Sequence, residues 1–504
     1  MKKQAMLIAP VAFVVAFFVL PVGNTFITFL RLEELIDVAN NRSMLSVIWF
    51  SLWQAIVSTV ATLAIGLPAT WALSRYTFFG SRIALGILTA PFVLPSVVVA
   101  AGVLAIRDSP GVAPIIWAHV IFNVAVVVRV VGPRWSLLDE RIEHAAATLG
   151  AQPSRVFTQV VWPQISQATV GASALIFIYC FTSFGVIAIL GGLSRRTMES
   201  EIFVQAIRLG DARTATALAA IQALIIGAVL LVTHRISGVA SISLRVTTSR
   251  PLSSKPRHRQ NVVLVSATAS AIVAIPLLGT IHRSFFDGQG FTTRAWQTLF
   301  SGSLPSLAVS TRHVIATSLI FAIITAAVCV PFALLVASAI TTKTSLLGIF
   351  TSLPLCISAA TVGIGLIITF DADPIAWRGE RWLIPLIHAL IAIPLAIRIL
   401  APAIQAVPPS LRHAAATLGA SPMHTWWKVE LPVIRPALLR ATGLAMATSL
   451  GEFGATSFLS RSDSTTLPIA IVQLLGRPGT ATQQTGFALA SLMVLFTVGL
   501  MSRA

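Results

Sequence analysis

One acidic residue and two histidines stand out because they lie within apolar stretches. Glu452 is part of SLGEFGATSF, and a carboxylate in such a setting is costly and usually faces a cavity or a partner group. It could therefore contact a cationic solute, or it could be a hydrogen-bonded packing or gating residue. His119 and His388 could bind a metal, but packing histidines are more common at such positions, so we predict no metal site.

Nucleotide chemistry is not expected from this chain. The pattern G-x-x-x-x-G-K-[ST], whose backbone amides cradle phosphates, does not occur, and Lys343-Thr344 lacks the glycines. A membrane-embedded enzyme would need convergent acids, histidines or a metal, which Glu452 alone does not supply. The three cysteines predict neither a disulfide framework nor a metal cluster, since they lie far apart in apolar runs: Cys180, Cys329 and Cys356.

The octapeptide HAAATLGA occurs twice, at 144–151 and at 413–420. Its first residues are good helix formers, and Gly150 and Gly419 tolerate the positive φ at which helices often end. Before the octapeptides, Ser136 and Asp139 resemble a capping box, and Ser410 could cap the second helix.

The residues after each octapeptide predict a second helix. Pro153 and Pro422 suit the first turn of a helix, and Pro163 and Pro432 are expected to end it. Each copy is therefore predicted to form a helix, a turn and a helix, with small alanines on a face that another protein could approach closely.

The elements that carry these residues are predicted to be membrane helices. The chain has 504 residues, of which 56% are hydrophobic and 10% charged. Its long apolar runs approach or exceed the ~20 residues that span a bilayer and do not alternate as barrel strands do. We predict an all-α integral membrane protein with about twelve spans.

The net charge of +18 is interpreted as a topology signal. With Lys2 and Lys3 inside, most of the Lys and Arg residues fall on the cytoplasmic side, together with both termini. The charge could also contact anionic lipid, and no nucleic-acid partner is expected.

The two halves of the chain are related in sequence. An offset of 269 residues pairs the two octapeptides, and an offset of 263 pairs Gly102 with Gly365 upstream of them. We predict a first half at 1–240, a cytoplasmic linker at 241–260 and a second half at 261–504. Six spans per half give both halves the same orientation.

The repeated segments resemble the cytoplasmic "EAA" loop of ABC importer permeases, in which E-A-A-x-x-x-G is followed thirteen residues later by proline. His144 and His413 stand where the family has glutamate. The resemblance implies a type I ABC importer permease fold with coupling loops at 136–165 and 405–436. It assigns ATPase coupling to His144, Ala145, Ala146, Gly150, Pro163, His413, Ala414, Ala415, Gly419 and Pro432.

The whole chain resembles the fused, double-length permeases of thiamine and ferric-iron importers, which are related to those for polyamines and phosphonates. This resemblance implies a bacterial inner-membrane permease for a small solute, with thiamine or ferric iron favoured. The partners implied are two copies of a separate ATPase subunit, which hold ATP-Mg, and an extracytoplasmic solute-binding protein. The chain itself is expected to bind no cofactor.

Candidate contacts with the solute and with the binding protein are less specific. Glu452 and its first-half counterpart Ser183 are proposed for the substrate pathway. The outer loops at 195–201 and 461–468 are proposed to meet the binding protein, with ordinary solvated loops as the alternative.

The principal alternative is a secondary transporter of the major-facilitator type, which also has two parallel halves of six helices. Its recurring cytoplasmic signature lies between the second and third helix. The corresponding loop here, at 75–82, carries no such signature, so the importer is favoured.

Overall fold

Helices make up most of the protein. The fold is taken from a computed structural model, which describes residues 2–503 except 193–194, 238–249, 252–255, 289, 303, 305–306, 308, 340–352, 356 and 372–376. Most of the predicted linker and Cys356 lie outside the described residues. Two short strands, β1 (Tyr76–Thr77) and β2 (Arg250–Pro251), pair in parallel.

The helices of the first half follow one another with short connections. They are α1 (Lys2–Val14), α2 (Leu20–Phe29), α3 (Leu32–Asn40), α4 (Arg42–Arg75), α5 (Ser81–Thr89), α6 (Ser96–Arg107), α7 (Val112–Ser136), α8 (Glu140–Thr148), α9 (Pro153–Val156), α10 (Trp162–Phe181), α11 (Gly185–Leu190), α12 (Met198–Phe203) and α13 (Ala212–Ser237). π-helical turns occur at Val15–Val19, Phe157–Val161 and Val204–Arg208, and a 3₁₀ turn at Ala90–Phe92.

The second half repeats this order. Its helices are α14 (Pro256–Phe285), α15 (Arg294–Ser301), α16 (Thr311–Ala339), α17 (Ala359–Phe370), α18 (Leu383–Gln405), α19 (Pro409–Thr417), α20 (Pro422–Thr425), α21 (Leu431–Gly451), α22 (Gly454–Leu459), α23 (Leu467–Leu475) and α24 (Thr480–Arg503). A π-helical turn lies at Trp426–Glu430, and 3₁₀ turns at Leu353–Leu355, Trp377–Gly379 and Ser462–Ser464.

The predicted all-α membrane fold is confirmed. Among the described residues, eight helices are long and apolar enough to cross a bilayer, or nine if the bent pair formed by α5 and α6 counts as one span. Three of the eight lie in the second half, at 259–285, 311–339 and 383–405. The apolar helix α17, with 12 residues, is shorter than these spans. A helix satisfies its own backbone hydrogen bonds, as a chain in hydrocarbon must.

The chain forms two compact units that do not coincide with the sequence halves. One unit comprises 1–38, 202–220 and 287–504, and the other comprises 39–201 and 221–286. Each unit therefore combines the first helices of one half with later helices of the other half. The division into two homologous halves stays a prediction from the sequence.

An equivalent close contact joins a glycine and a proline inside each unit. A Cβ atom added at Gly102 of α6 would lie 2.6 Å from the carbonyl oxygen of Pro276 in α14, and one added at Gly365 of α17 would lie 2.9 Å from that of Pro21 in α2. Gly102 and Gly365 are counterparts in the repeat. Small residues let the helix backbones approach closely, as is common in membrane bundles.

Candidate functional site

Both octapeptides form the predicted helix and turn. The helices α8 and α19 end at equivalent positions, and the following glycines have positive φ, 82° at Gly150 and 78° at Gly419. The amide of Ala151 donates to the Ala146 carbonyl over 3.1 Å, and that of Ala420 to the Ala415 carbonyl over 3.0 Å. These bonds define a Schellman motif, so each glycine supplies the backbone conformation that stops its helix.

The two helices begin differently, and the predicted caps are partly wrong. Asp139 caps α8 by accepting a 2.9 Å hydrogen bond from the amide of Arg141. Ser136 instead donates to the Pro133 carbonyl. Ser410 lies inside α19, whose N-cap is Pro408 with no side-chain hydrogen bond. A proline at N1, Pro409, starts that helix in place of a capping side chain.

The prolines at the far end of the repeat do not end a helix, contrary to the prediction. Pro153 and Pro422 do occupy the first turn of α9 and α20. Pro163 and Pro432 follow π-helical turns and lie in the first turn of α10 and α21, so the helical path continues through them. Each π turn adds a residue to the helix just before the proline, which itself has no N–H to donate.

The surface of each octapeptide differs from the predicted alanine face. His144, Ala145, His413 and Ala414 are exposed, whereas Ala146 is half-buried and Ala415 is buried. The largest apolar groups presented to solvent are Leu149 and Leu418, which are 89% and 87% exposed. The repeat itself could have indicated this pair, because each octapeptide has a leucine directly before its glycine.

Glu452 is enclosed by hydrogen-bond donors. Its carboxylate accepts bonds of 2.9 Å from the amides of Ala455 and Thr456 and a further bond from the Thr456 hydroxyl, and its side chain is 7% exposed. The Nε2 atom of His388 lies 3.4 Å from its Oε2 atom. Both oxygens are thus engaged with the chain itself. This geometry favours a residue that fixes the break between α21 and α22.

His388 connects Glu452 to two further helices. Its Nδ1 atom lies 2.8 Å from the Ser449 hydroxyl, and its Nε2 atom lies 2.8 Å from that of Thr456. Thr325 of α16 donates to Ser449 over 3.2 Å. Together with Glu452, these side chains form one buried network that joins α16, α18, α21 and α22.

The first half holds only part of this network. The Nδ1 atom of His119 lies 3.1 Å from the Ser58 hydroxyl. The buried polar atoms without a partner among the described residues include Nε2 of His119, Oε1 of Gln54 and Oδ1 of Asn123. Ser183, the counterpart of Glu452, is half-buried. The two halves therefore differ most where the second half has its carboxylate.

The two outer loops are largely buried, which limits the surface they could offer a partner. Thr197 to Glu201 and Ser464 to Pro468 are buried, and Glu199 accepts a 2.9 Å bond from Gln222. Arg195 and Arg461 remain exposed.

A surface ion pair fixes the second of these loops. Arg381 donates to Asp463 over 2.8 Å, and this hydrogen bond lowers the pKa of the Asp463 carboxyl. Surface pairs of this kind contribute little to stability.

The spans define a multi-pass membrane protein, and comparison with known proteins identifies its class. Residues 330–502 match the family of binding-protein-dependent transport system inner membrane components. The match contains the second octapeptide, Glu452 and the helices between them. The chain is a permease subunit of an ABC importer located in the inner membrane.

Similarity to double-length permeases extends over both halves. The chain is 26% identical over 458 residues to the thiamine transport system permease protein ThiP of Brucella abortus (strain 2308), covering 85% of this chain and 81% of that protein. It is 23% identical over 460 residues to ThiP of Salmonella typhimurium, covering 85% and 83%. A putative 2-aminoethylphosphonate permease, PhnV of Salmonella typhimurium, is 30% identical over 151 residues, which is 30% of this chain and 56% of PhnV.

Proposed function

We propose that this chain forms the translocation pathway for thiamine, delivered by a solute-binding protein outside the cell and driven by two ATPase subunits inside it. The observation that carries the proposal is the pair of exposed helix-turn segments with the same Schellman end and the same exposed leucine. The similarity to thiamine permeases over 85% of the chain supports thiamine over ferric iron.

The ATPase subunits are proposed to bind one segment each. Leu149 and Leu418 are single apolar side chains on otherwise polar, small-residue turns, a shape that fits a shallow cleft. Burying a leucine contributes roughly 1.5–3 kcal/mol. Because this chain lacks a phosphate-binding loop, ATP and Mg²⁺ are proposed to bind to the partners alone.

Both segments and both termini are proposed to face the cytoplasm. ATP-driven closure of the two ATPase subunits would then move both segments at once and shift the permease between inward-open and outward-open states. Glu452 and Ser183 are proposed to line the pathway, with Glu452 acting chiefly by holding the break between α21 and α22.

Copurification and uptake test the proposal together. The chain is reconstituted with an ATPase of this importer class and a thiamine-binding protein, and uptake of radiolabelled thiamine is measured with and without ATP. We expect ATP-dependent uptake and stable copurification. Uptake driven by an ion gradient without the ATPase would instead indicate a secondary transporter.

A double variant probes the two helix ends directly. Nothing lies within 4 Å of a Cβ atom added at Gly150 or Gly419, so any loss comes from the backbone. Gly150→Val with Gly419→Val places a β-branched residue at positive φ and is expected to abolish uptake and weaken copurification. Gly150→Asn with Gly419→Asn, which tolerates that conformation, is expected to retain most uptake.

A further inference from the structure

A partly buried ion pair ties the first repeated segment to a long helix. Arg75 is the last residue of α4, and Glu143 lies in α8 directly before the octapeptide. Nη1 of Arg75 donates to Oε2 of Glu143 over 3.0 Å, and Nη2 donates to Oε1. Their side chains are 8% and 22% exposed. A bidentate pair of this kind fixes both distance and orientation.

The second segment is tied to a different element. Arg412 in α19 donates through Nε to Oε1 of Glu430 over 2.9 Å and through Nη2 to Oε2 over 3.0 Å. Glu430 ends the π-helical turn that leads into α21. The two side chains are 41% and 19% exposed. This pair therefore links the segment to the helix that follows it in sequence.

Alignment of the repeat shows that neither ion pair has an equivalent in the other half. Glu143 and Arg412 are counterparts at the offset of 269, with opposite charge. The counterpart of Arg75, at the offset of 263, is Ser338, which is exposed and donates to the Leu334 carbonyl. The counterpart of Glu430 is Val161. Neither half could form the other half's pair.

A cavity adjoins the Arg75–Glu143 pair. It has a volume of about 510 Å³ and is lined by residues of α4, α7, α8, α9 and the following π turn. Trp71 and Trp135 are among its lining residues, together with His144 and Ala147 of α8. Arg75 and Glu143 also line the cavity, so their two hydrogen bonds join α8 to α4 at its wall.

We propose that the two segments transmit force by different routes. Displacement of α8 passes straight to α4 through the Arg75–Glu143 pair, whereas displacement of α19 passes to α21 through the Arg412–Glu430 pair. This inference rests on the proposed binding of an ATPase to each segment. Arg75 and Glu143 are thus positioning residues for coupling, and breaking their pair is more damaging than breaking the Arg412–Glu430 pair, whose arginine is more exposed.

Coupling is measured as thiamine taken up per ATP hydrolysed by the reconstituted complex. Glu143→Gln and Arg75→Gln are expected to lower this ratio about tenfold while copurification with the ATPase is unchanged. Exchange of the charges, Arg75→Glu with Glu143→Arg, is expected to restore most of it. The matched variants Arg412→Gln and Glu430→Gln are expected to lower it by less than about threefold.

A distance measurement makes the test independent of the solute. Nitroxide labels at Phe79→Cys, just after α4, and Thr148→Cys in α8 are expected to keep their separation when ATP and vanadate are added, because the pair moves as one body. In the Glu143→Gln variant that separation is expected to change by on the order of 5 Å.

Two results would overturn the inference. One is an unchanged ratio and an unchanged label separation in a folded Glu143→Gln variant; the other is an equal loss of coupling from both ion pairs. If the wild-type chain fails to copurify with the ATPase, the proposed function itself fails, and the two failures are thereby distinguished.

Discussion

Leu149 and Leu418 are exposed leucines at equivalent positions of the two octapeptides. An exposed leucine is unremarkable by itself. Here the same exposed leucine precedes the same positive-φ glycine in two segments 269 residues apart. Neither side chain packs into its own unit, so their chemistry is directed outward.

Replacing both leucines tests whether they bind the ATPase. Leu149→Glu with Leu418→Glu is expected to weaken ATPase binding by about 2 kcal/mol per site, roughly 30-fold, because a buried leucine is lost. Folding should be unaffected, since both side chains are exposed. Phe79→Glu is the control, because Phe79 is 99% exposed outside the octapeptides. Titration of detergent-solubilised permease with the ATPase measures the effect. Equal ATPase affinity of the wild type, the double leucine variant and Phe79→Glu would contradict the prediction.

Glu452 is a single residue whose hydrogen bonds are expected to stabilise the fold. Glu452→Ala removes three hydrogen bonds to one carboxylate and leaves His388 without that partner. We expect a loss of about 2–4 kcal/mol, because bonds to charged groups are strong and the remaining donors are buried. Ser183→Ala, at the equivalent position, is expected to change stability by less than about 1 kcal/mol. Thermal unfolding in detergent measures both, and similar melting temperatures would show that the network does not stabilise the fold.

Helices and turns are the elements that the sequence predicts best. Alanine-rich octapeptides, a following glycine and a proline at N1 are local signals, and each appears at the predicted place. Two kinds of helix end were predicted wrongly. The N-cap of α19 is Pro408 and not Ser410. Pro163 and Pro432 follow π turns, which let the helix continue and which no local propensity indicates.

The hydrogen-bond partners of Glu143 and Glu452 could not be predicted from the sequence, because they depend on how the helices pack. Glu143 could be seen beside the first octapeptide, but its partner Arg75 lies 68 residues away. Glu452 was identified from its cost in an apolar stretch, whereas the donors that enclose it become evident only once α21 and α22 meet. Long-range pairing is set by helix packing, which a single sequence does not specify.

The glycine–proline contacts give a prediction about helix packing. Gly102→Ala or Gly365→Ala puts a methyl group within 3 Å of a backbone carbonyl, which should cost about 1–3 kcal/mol through overpacking. Gly227→Ala in α13 is the control, since a Cβ atom there meets nothing within 4 Å. It should be neutral or slightly stabilising. Equal melting temperatures for all three variants would contradict the close approach of these helices.

For the whole molecule, the repeat and the number of spans together determine on which side of the membrane the octapeptides lie. If each half has six spans, both octapeptides lie on one side of the membrane, together with both termini. An odd number of spans between the two octapeptides would place them on opposite sides. The bias of Lys and Arg assigns the shared side to the cytoplasm.

Labelling of single cysteines tests this orientation. With the native cysteines replaced, Thr148→Cys and Thr417→Cys report on the octapeptides and Ser462→Cys on the loop after α22; all three positions are exposed. In spheroplasts a membrane-impermeant maleimide is expected to label only Ser462→Cys, because its loop faces outward. After permeabilisation all three should be labelled. Labelling of Thr148→Cys and Thr417→Cys from opposite sides would exclude a parallel repeat, and with it the binding of both segments by ATPase subunits on one face.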